Sequence, residues 1–182
     1  TLDDESKLEA SEILLECGSP DKAMLMIGSI ENIEYRVAAS QLATTAAKRI
    51  KKIEPQADAW RLIADRFGVH DADLLVAASR MYSAGRHAEV IGLLAERDFD
   101  KLDRSLGLLL ARSYFTVEEY DNCLNVSRSM LERHPDDQDV LRLIIRSKRR
   151  QGDVGDEEAF QALSRSLELG TIHPEDAYRL AR

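Results

Sequence analysis

Residues 104–137 read RSLGLLLARSYFTVEEYDNCLNVSRSMLERHPDD, and this stretch decides the fold of the 182-residue chain. Its apolar residues recur at intervals of three and four, which is the period of an α-helix. Thr116 and Glu119 have the spacing of a capping box and predict that a second helix begins there and runs through Arg133. Pro135 follows closely and cannot continue that helix. The stretch therefore predicts a hairpin of two helices.

The same pattern returns on both sides of this hairpin at a nearly constant distance. Ala78 stands 33 residues before Ala111, and Ile145 stands 34 residues after it. A period of this length with two helices in each unit is typical of helical repeat proteins. One hairpin cannot bury its own apolar face, so we expect neighbouring hairpins to stack into a continuous core.

The rest of the chain is also predicted to be helical. Hydrophobic residues make up 44% of the sequence but aromatic residues only 5%, so the core must consist of Leu, Ile, Val and Ala. No segment alternates with period two, and we predict an all-α protein of about eleven helices without strands. Residues 33–67 fit the period poorly. They predict a long helix rich in Ala and Thr, followed by a shorter one in which Trp60 anchors the core.

Residues 104–137 resemble a tetratricopeptide repeat. This family places a small residue beside a large apolar one where the two helices of a hairpin cross, and Leu110 and Ala111 fill those places, with Tyr114 one turn later. Cys123 stands on the second helix where Ala is usual, and Pro135 matches the family's terminal proline. The resemblance implies a right-handed superhelical solenoid of antiparallel helical hairpins.

The resemblance also implies a domain organisation. Residues 1–182 would form a single helical-repeat domain. Residues 1–70 would be degenerate N-terminal hairpins, residues 71–170 three tetratricopeptide-like repeats, and residues 171–182 a C-terminal docking or capping helix.

A row of arginines is the clearest polar anomaly. Residues 138–152 carry five positive charges against one acid, Asp139, in a chain whose net charge is −8. Three of these arginines are spaced by four and three residues, which places them on one stripe of a helix. A fourth lies one repeat earlier, and in tetratricopeptide repeats the first helix of each hairpin lines a concave groove. The predicted partner-binding residues are Arg112, Arg142, Arg146 and Arg149.

Two interpretations of this row stay open. The row can bind an acidic peptide, a terminal carboxylate or a phosphate through bidentate hydrogen bonds. Alternatively, it is a solvated basic face whose charges are paired with nearby acids such as Glu118, Glu119 or Asp136.

Two further charged segments have simpler explanations. A basic cluster is predicted at the end of a helix, where the helix dipole favours cations by about 0.3–1 kcal/mol each. It consists of Lys48, Arg49, Lys51 and Lys52. Residues 1–34 hold nine acids against Lys7 and Lys22, nine minus two giving a charge of −7. This acidic end is expected to be a solubilising cap, and head-to-tail self-association with the basic middle is a second hypothesis.

No catalytic or cofactor-binding motif is found in the sequence. The nucleophile-elbow and phosphate-loop patterns are absent, and the histidines lack metal-ligand spacing. Cys17 and Cys123 are predicted to be reduced thiols packed as small apolar residues. We therefore expect no enzyme activity, no cofactor and no metal.

Several function classes follow or are disfavoured. The acidic pI of about 5.1 disfavours nucleic acid as a partner, including RNA read by helical repeats. No apolar run is long enough to span a membrane, and a cytoplasmic location is expected. The leading hypothesis is a non-catalytic scaffold for protein–protein interaction. The alternative is an accessory or regulatory domain of a larger multidomain enzyme, such as a transferase or an envelope-polysaccharide assembly protein, since the chain begins without Met.

Overall fold

The chain is all-α, as the periodicity predicts. A computed structural model describes residues 2–98, 101–152, 156–170 and 172, which contain ten α-helices, one 3-10 helix and no strand. The helices are α1 (Asp4–Glu16), α2 (Pro20–Ile27), α3 (Arg36–Arg49), α4 (Ile53–Arg66), α5 (Asp71–Ser83), α6 (His87–Leu94), α7 (Arg104–Thr116), α8 (Tyr120–Arg133), α9 (Gln138–Gln151) and α10 (Glu157–Glu168), with the 3-10 helix at Ile33–Tyr35. Among these residues no helix is long and apolar enough to cross a membrane. The predicted C-terminal helix over residues 171–182 lies outside the described residues, apart from Ile172.

The chain forms two compact units, residues 1–86 and residues 87–182. In each unit the helices pack mainly with their neighbours in sequence. In the first unit α1 to α5 follow one another in this way, and α1 also contacts α3. In the second unit α6 to α10 do the same, and α7 also contacts α9. This pattern is consistent with a helical repeat. The boundary between the units falls inside the first predicted repeat, so the division of residues 1–182 into repeats stays a prediction.

Local signals explain most helix ends. An aspartate precedes four of the helices and accepts hydrogen bonds from backbone amides of the first turn, which compensates for the missing partners there. These caps are Asp3, Asp103, Asp137 and Asp156. Gly152 ends α9 in the left-handed conformation, with φ at 86°, where a side chain would be strained.

The predicted capping box at Thr116 and Glu119 is wrong. Thr116 is the last residue of α7, and its hydroxyl donates to the carbonyl of Arg112 at 2.9 Å. The chain reverses through Glu118, whose φ is 65°, and Glu119 precedes α8 without a side-chain cap. The spacing matched, but helix α7 extends over the position that the cap requires.

The expected lengths in residues 33–67 are also wrong. The segment begins with the 3-10 helix, and α3 and α4 have 14 residues each rather than a long and a shorter helix. α3 contributes buried alanines to the core, and α4 contributes Trp60, which is fully buried as predicted. The Nε1–H group of Trp60 has no hydrogen-bond partner among the described residues.

Small buried residues let the helices of the second unit approach closely. Leu110 and Ala111 on α7 are fully buried, as are Cys123 and Ser127 on α8. The hydroxyl of Ser147 on α9 donates to Sγ of Cys123 at 3.3 Å. Burial raises the pKa of the Cys123 thiol, so it stays protonated and packs as a small side chain.

The other cysteine departs from expectation. Cys17 is the C-cap residue of α1 and is exposed rather than packed. Both cysteines are free thiols.

We expect Leu110→Ala to lower the free energy of unfolding by about 2–5 kcal/mol, because it opens a cavity where α7 packs against its neighbours. Leu167→Ala is the matched control, since Leu167 lies exposed on α10 of the same unit. It should change stability by less than about 0.5 kcal/mol. Urea unfolding followed by circular dichroism measures both, and equal losses would contradict the assigned core.

Candidate partner-binding site

The predicted arginine row lies on α7 and α9, which contact each other in the second unit. Asp137 fixes the start of α9. Its carboxylate accepts from the amides of Asp139 and Val140 at 3.1 and 3.3 Å. Arg104 at the start of α7 donates to the same carboxylate from Nε and Nη2, at 2.5 and 3.0 Å. One carboxylate therefore caps α9 and joins its first turn to the first turn of α7.

The environment of Asp137 stabilises its charged form. The carboxyl side chain is only 3% exposed, and this burial alone would raise its pKa. Hydrogen bonds from Arg104 and from the amides of Val140 and Asp139 outweigh burial and lower the pKa of Asp137. This ionised pair holds the two helices that carry the arginines.

The four predicted residues have three kinds of environment: an ion pair, a ring contact, and no side-chain partner among the described residues. Arg112 on α7 donates from Nη2 to Asp139 at 2.9 Å, and its side chain is 41% exposed. The Arg146 guanidinium lies over the ring of Phe115 on α7, 5.2 Å from its centroid. The side chains of Arg142 and Arg149 on α9 make no hydrogen bond, ion pair or ring contact with any described residue.

The apolar side of α9 is buried as its pattern predicts. Leu141, Ile144 and Ile145 belong to the core between α8, α9 and α10. Lys148 also points towards α10, where its Nζ lies 2.9 Å from the Asp156 carboxylate. The arginines of the row therefore lie away from this face.

The acid that pairs with the row is not one of those expected. Asp139, on α9 itself, binds Arg112 and also accepts from Arg104 at 3.0 Å. Asp136 instead pairs with Arg165 at 2.6 Å, and the carboxylate of Glu119 accepts from Asn122. None of the three acids named from the sequence pairs with the row in the described part of the chain.

Three arginines of the second unit outside the row are paired with acids. Arg128 makes two hydrogen bonds to Glu158, at 2.6 and 2.7 Å, and Arg165 pairs with Asp136 and Glu168. Arg104 binds two aspartates. Arg142 and Arg149 differ from these three arginines, because neither is paired with an acid within the described ranges.

Phe115 and the Arg104–Asp137 pair were missed at the sequence level. Phe115 also packs edge-on against Tyr120, with the ring centroids 5.6 Å apart. Phe115 precedes Arg146 by 31 residues, which is close to the repeat period. This spacing is the sequence signal that could have placed the two residues side by side. Arg104 and Asp137 are separated by 33 residues, the repeat period itself.

Other chemistry is not supported by the described residues. Within the described ranges, no group of three or more His, Cys, Asp or Glu side chains could hold a metal ion. A polar cleft of about 530 Å³ lies at the α8–α9 turn. Three of its charged lining residues already bind one another, since Arg104 donates to both Asp137 and Asp139.

Comparison with known proteins identifies no relative. No protein-family model matches the sequence, and no curated protein matches it.

We expect Asp137→Asn to lower the free energy of unfolding at pH 7 by about 1–2 kcal/mol, because it weakens the cap of α9 and removes the charge that Arg104 binds. The folded-state pKa of Asp137 is below its ordinary value of 3.8, so its contribution is present above that value and is lost as the pH falls through the folded-state pKa.

The difference in free energy of unfolding between wild type and Asp137→Asn should therefore become smaller as the pH is lowered from 7 to 3. Urea unfolding at a series of pH values measures it. Asp121→Asn is a control, because the Asp121 side chain accepts from Gln151 in an exposed hydrogen bond. A difference for Asp137→Asn that stays constant down to pH 3 would contradict the role of its ionised form.

Proposed function

We propose that the chain is a tetratricopeptide-like repeat that acts as a non-catalytic scaffold and binds a protein or acidic peptide through the arginine row. The packing of sequential helices supports this, as does the contact between the alternate helices α7 and α9. The pairing of Arg104 with Asp137, one period apart, is consistent with stacked equivalent hairpins.

The guanidinium groups of Arg142 and Arg149 have no acidic partner in the part of the chain that the structure describes, and this observation carries the proposal. A guanidinium binds a carboxylate through two parallel hydrogen bonds, which gives both affinity and orientation. Arg112 already holds one carboxylate on this surface, that of Asp139. An acidic side chain or terminal carboxylate of a partner would make the same kind of contact with Arg142 and Arg149, which bind no carboxylate of the described residues.

Arg146 is held in place before a partner binds, because its guanidinium stacks on the ring of Phe115. An exposed cation–π contact contributes about 0.5–1 kcal/mol and restricts the guanidinium to the face of the ring. An arginine held in this way loses less conformational entropy when it binds a partner than one that moves freely.

The test uses the double variant Arg142→Glu/Arg149→Glu, which replaces the two uncompensated charges and leaves Arg112 and Arg146 in place. Proteins captured from a lysate of the source organism are compared between wild type and variant, and their affinities are then measured with purified components. We expect the partner of the row to bind the variant at least about tenfold more weakly, which corresponds to about 1.4 kcal/mol. Wild-type affinity should fall with added salt, since Arg149 is exposed and Arg142 is partly exposed.

The matched control is Arg36→Glu/Arg80→Glu, which makes the same change in net charge at exposed arginines of the first unit. It should keep the partner of the wild type. Identical partners and affinities for all three proteins would refute the role of the row. An empty capture from all three would favour the accessory domain of a larger enzyme instead.

A further inference from the structure

A surface groove lies between α2 and α4 in the first unit, far along the chain from the arginine row. It consists of two adjoining cavities of about 270 and 460 Å³, which share Asp21, Ile50 and Pro55 in their walls. One cavity is mainly apolar, and the other has three basic residues in its wall. The groove therefore has two ends of different chemistry.

The apolar end has a buried floor and an open wall. Met24, Ile50 and Ala59 are nearly inaccessible and form the floor. Leu25 and Leu62 line the same cavity, and Leu25 is 78% exposed. An exposed leucine at the edge of a concave apolar cavity is typical of a surface that binds another apolar side chain.

The basic end is formed by Arg49, Lys51 and Lys52. Arg49 donates to the carbonyl of Leu15 at 2.9 Å, which fixes its position. Lys51 and Lys52 are exposed, and no described residue makes an ion pair or side-chain hydrogen bond with either of them. Two ammonium groups therefore remain available beside the apolar cavity.

The helix dipole does not account for all of these cations, contrary to expectation. Lys48 lies in the last turn of α3 and pairs with Asp73 at 2.5 Å, and Lys51 follows Ile50, the C-cap residue of that helix. Lys52 is instead the N-cap residue of α4, where the positive end of the dipole disfavours a cation by about 0.3–1 kcal/mol. Its position opposes local stability, so an external anion is the better explanation.

The acidic residues at the groove are too few to neutralise its cations. Asp58 lines the apolar cavity, but Arg86 already binds it at 2.7 Å. Asp21 is the one acid that lines the basic cavity, against three cations, which leaves an excess of two positive charges there.

We propose that this groove binds an extended peptide segment of another protein in which a bulky apolar residue lies within a few positions of an acidic residue. The apolar side chain enters the cavity between Leu25 and Leu62, and the acidic group contacts Lys51 and Lys52. The site belongs to the first unit and does not depend on the arginine row.

The experiment selects binders from a display library of random 12-residue peptides against the whole chain. We expect enriched peptides to share an Asp or Glu one to four positions from Leu, Ile, Met or Phe. Their dissociation constants are then measured by fluorescence anisotropy with labelled synthetic copies. Leu25→Glu and, separately, Lys51→Glu/Lys52→Glu should each weaken binding at least about tenfold.

Two controls separate this site from the rest of the surface. Leu167→Glu places the same substitution at an exposed leucine of the second unit, and Arg142→Glu/Arg149→Glu reverses the charge of two arginines of the row. Both should bind the selected peptides as wild type does. The lysine variant changes only exposed side chains, so it keeps the test valid if Leu25→Glu disturbs α2.

Three results would overturn the proposal. One is a selection without any enriched family, and another is an enriched family whose affinity neither groove variant changes. The third is a wild-type protein that self-associates in sedimentation experiments and becomes monomeric in Leu25→Glu, since the occupant would then be a second copy of the chain.

Discussion

The structure depends on packing between helices that are too short to persist by themselves. The described α-helices have 8–14 residues, and isolated helices below about 12–15 residues are marginal in water. Each must therefore bury its apolar face against the next, and small side chains at the crossings make this possible. In the second unit Ala111, Cys123 and Ser147 are buried at such positions. The chain uses few aromatic residues because close helix contacts need small partners more than large ones.

Some charged residues of the second unit form ion pairs between helices, and others have no charged partner among the described residues. Arg104 and Arg128 link alternate helices of the second unit, α7 to α9 and α8 to α10, and Arg165 on α10 binds Asp136 in the turn before α9. The Arg128–Glu158 and Arg165–Asp136 pairs are exposed and contribute about 0–1 kcal/mol each, so they align the helices more than they stabilise them. Arg142 and Arg149 take no part in this alignment. Without such pairs they contribute little to the stability of the fold, and this is why the proposal assigns them to partner binding.

The two proposed surfaces suit an acidic chain. With a net charge of −8, the molecule as a whole repels other acidic molecules. Over distances beyond about 10 Å this repulsion is screened at physiological salt, and local charge then decides what binds. A few uncompensated cations beside an aromatic ring or an apolar cavity can therefore select acidic segments that also fit the neighbouring side chains. Each surface lies within one unit and can be tested separately.

Helix positions and the stripe of arginines followed from the sequence, because periodicity, caps and helix-breaking residues act within about four positions of the chain. Leu110, Ala111 and Trp60 were recognised as core residues for the same reason. The partner of Arg112, the ring beneath Arg146 and the groove beside Leu25 depended on the tertiary structure. Each brings together residues from different helices, and the rotation and shift of one helix against another are set by side-chain packing over the whole interface.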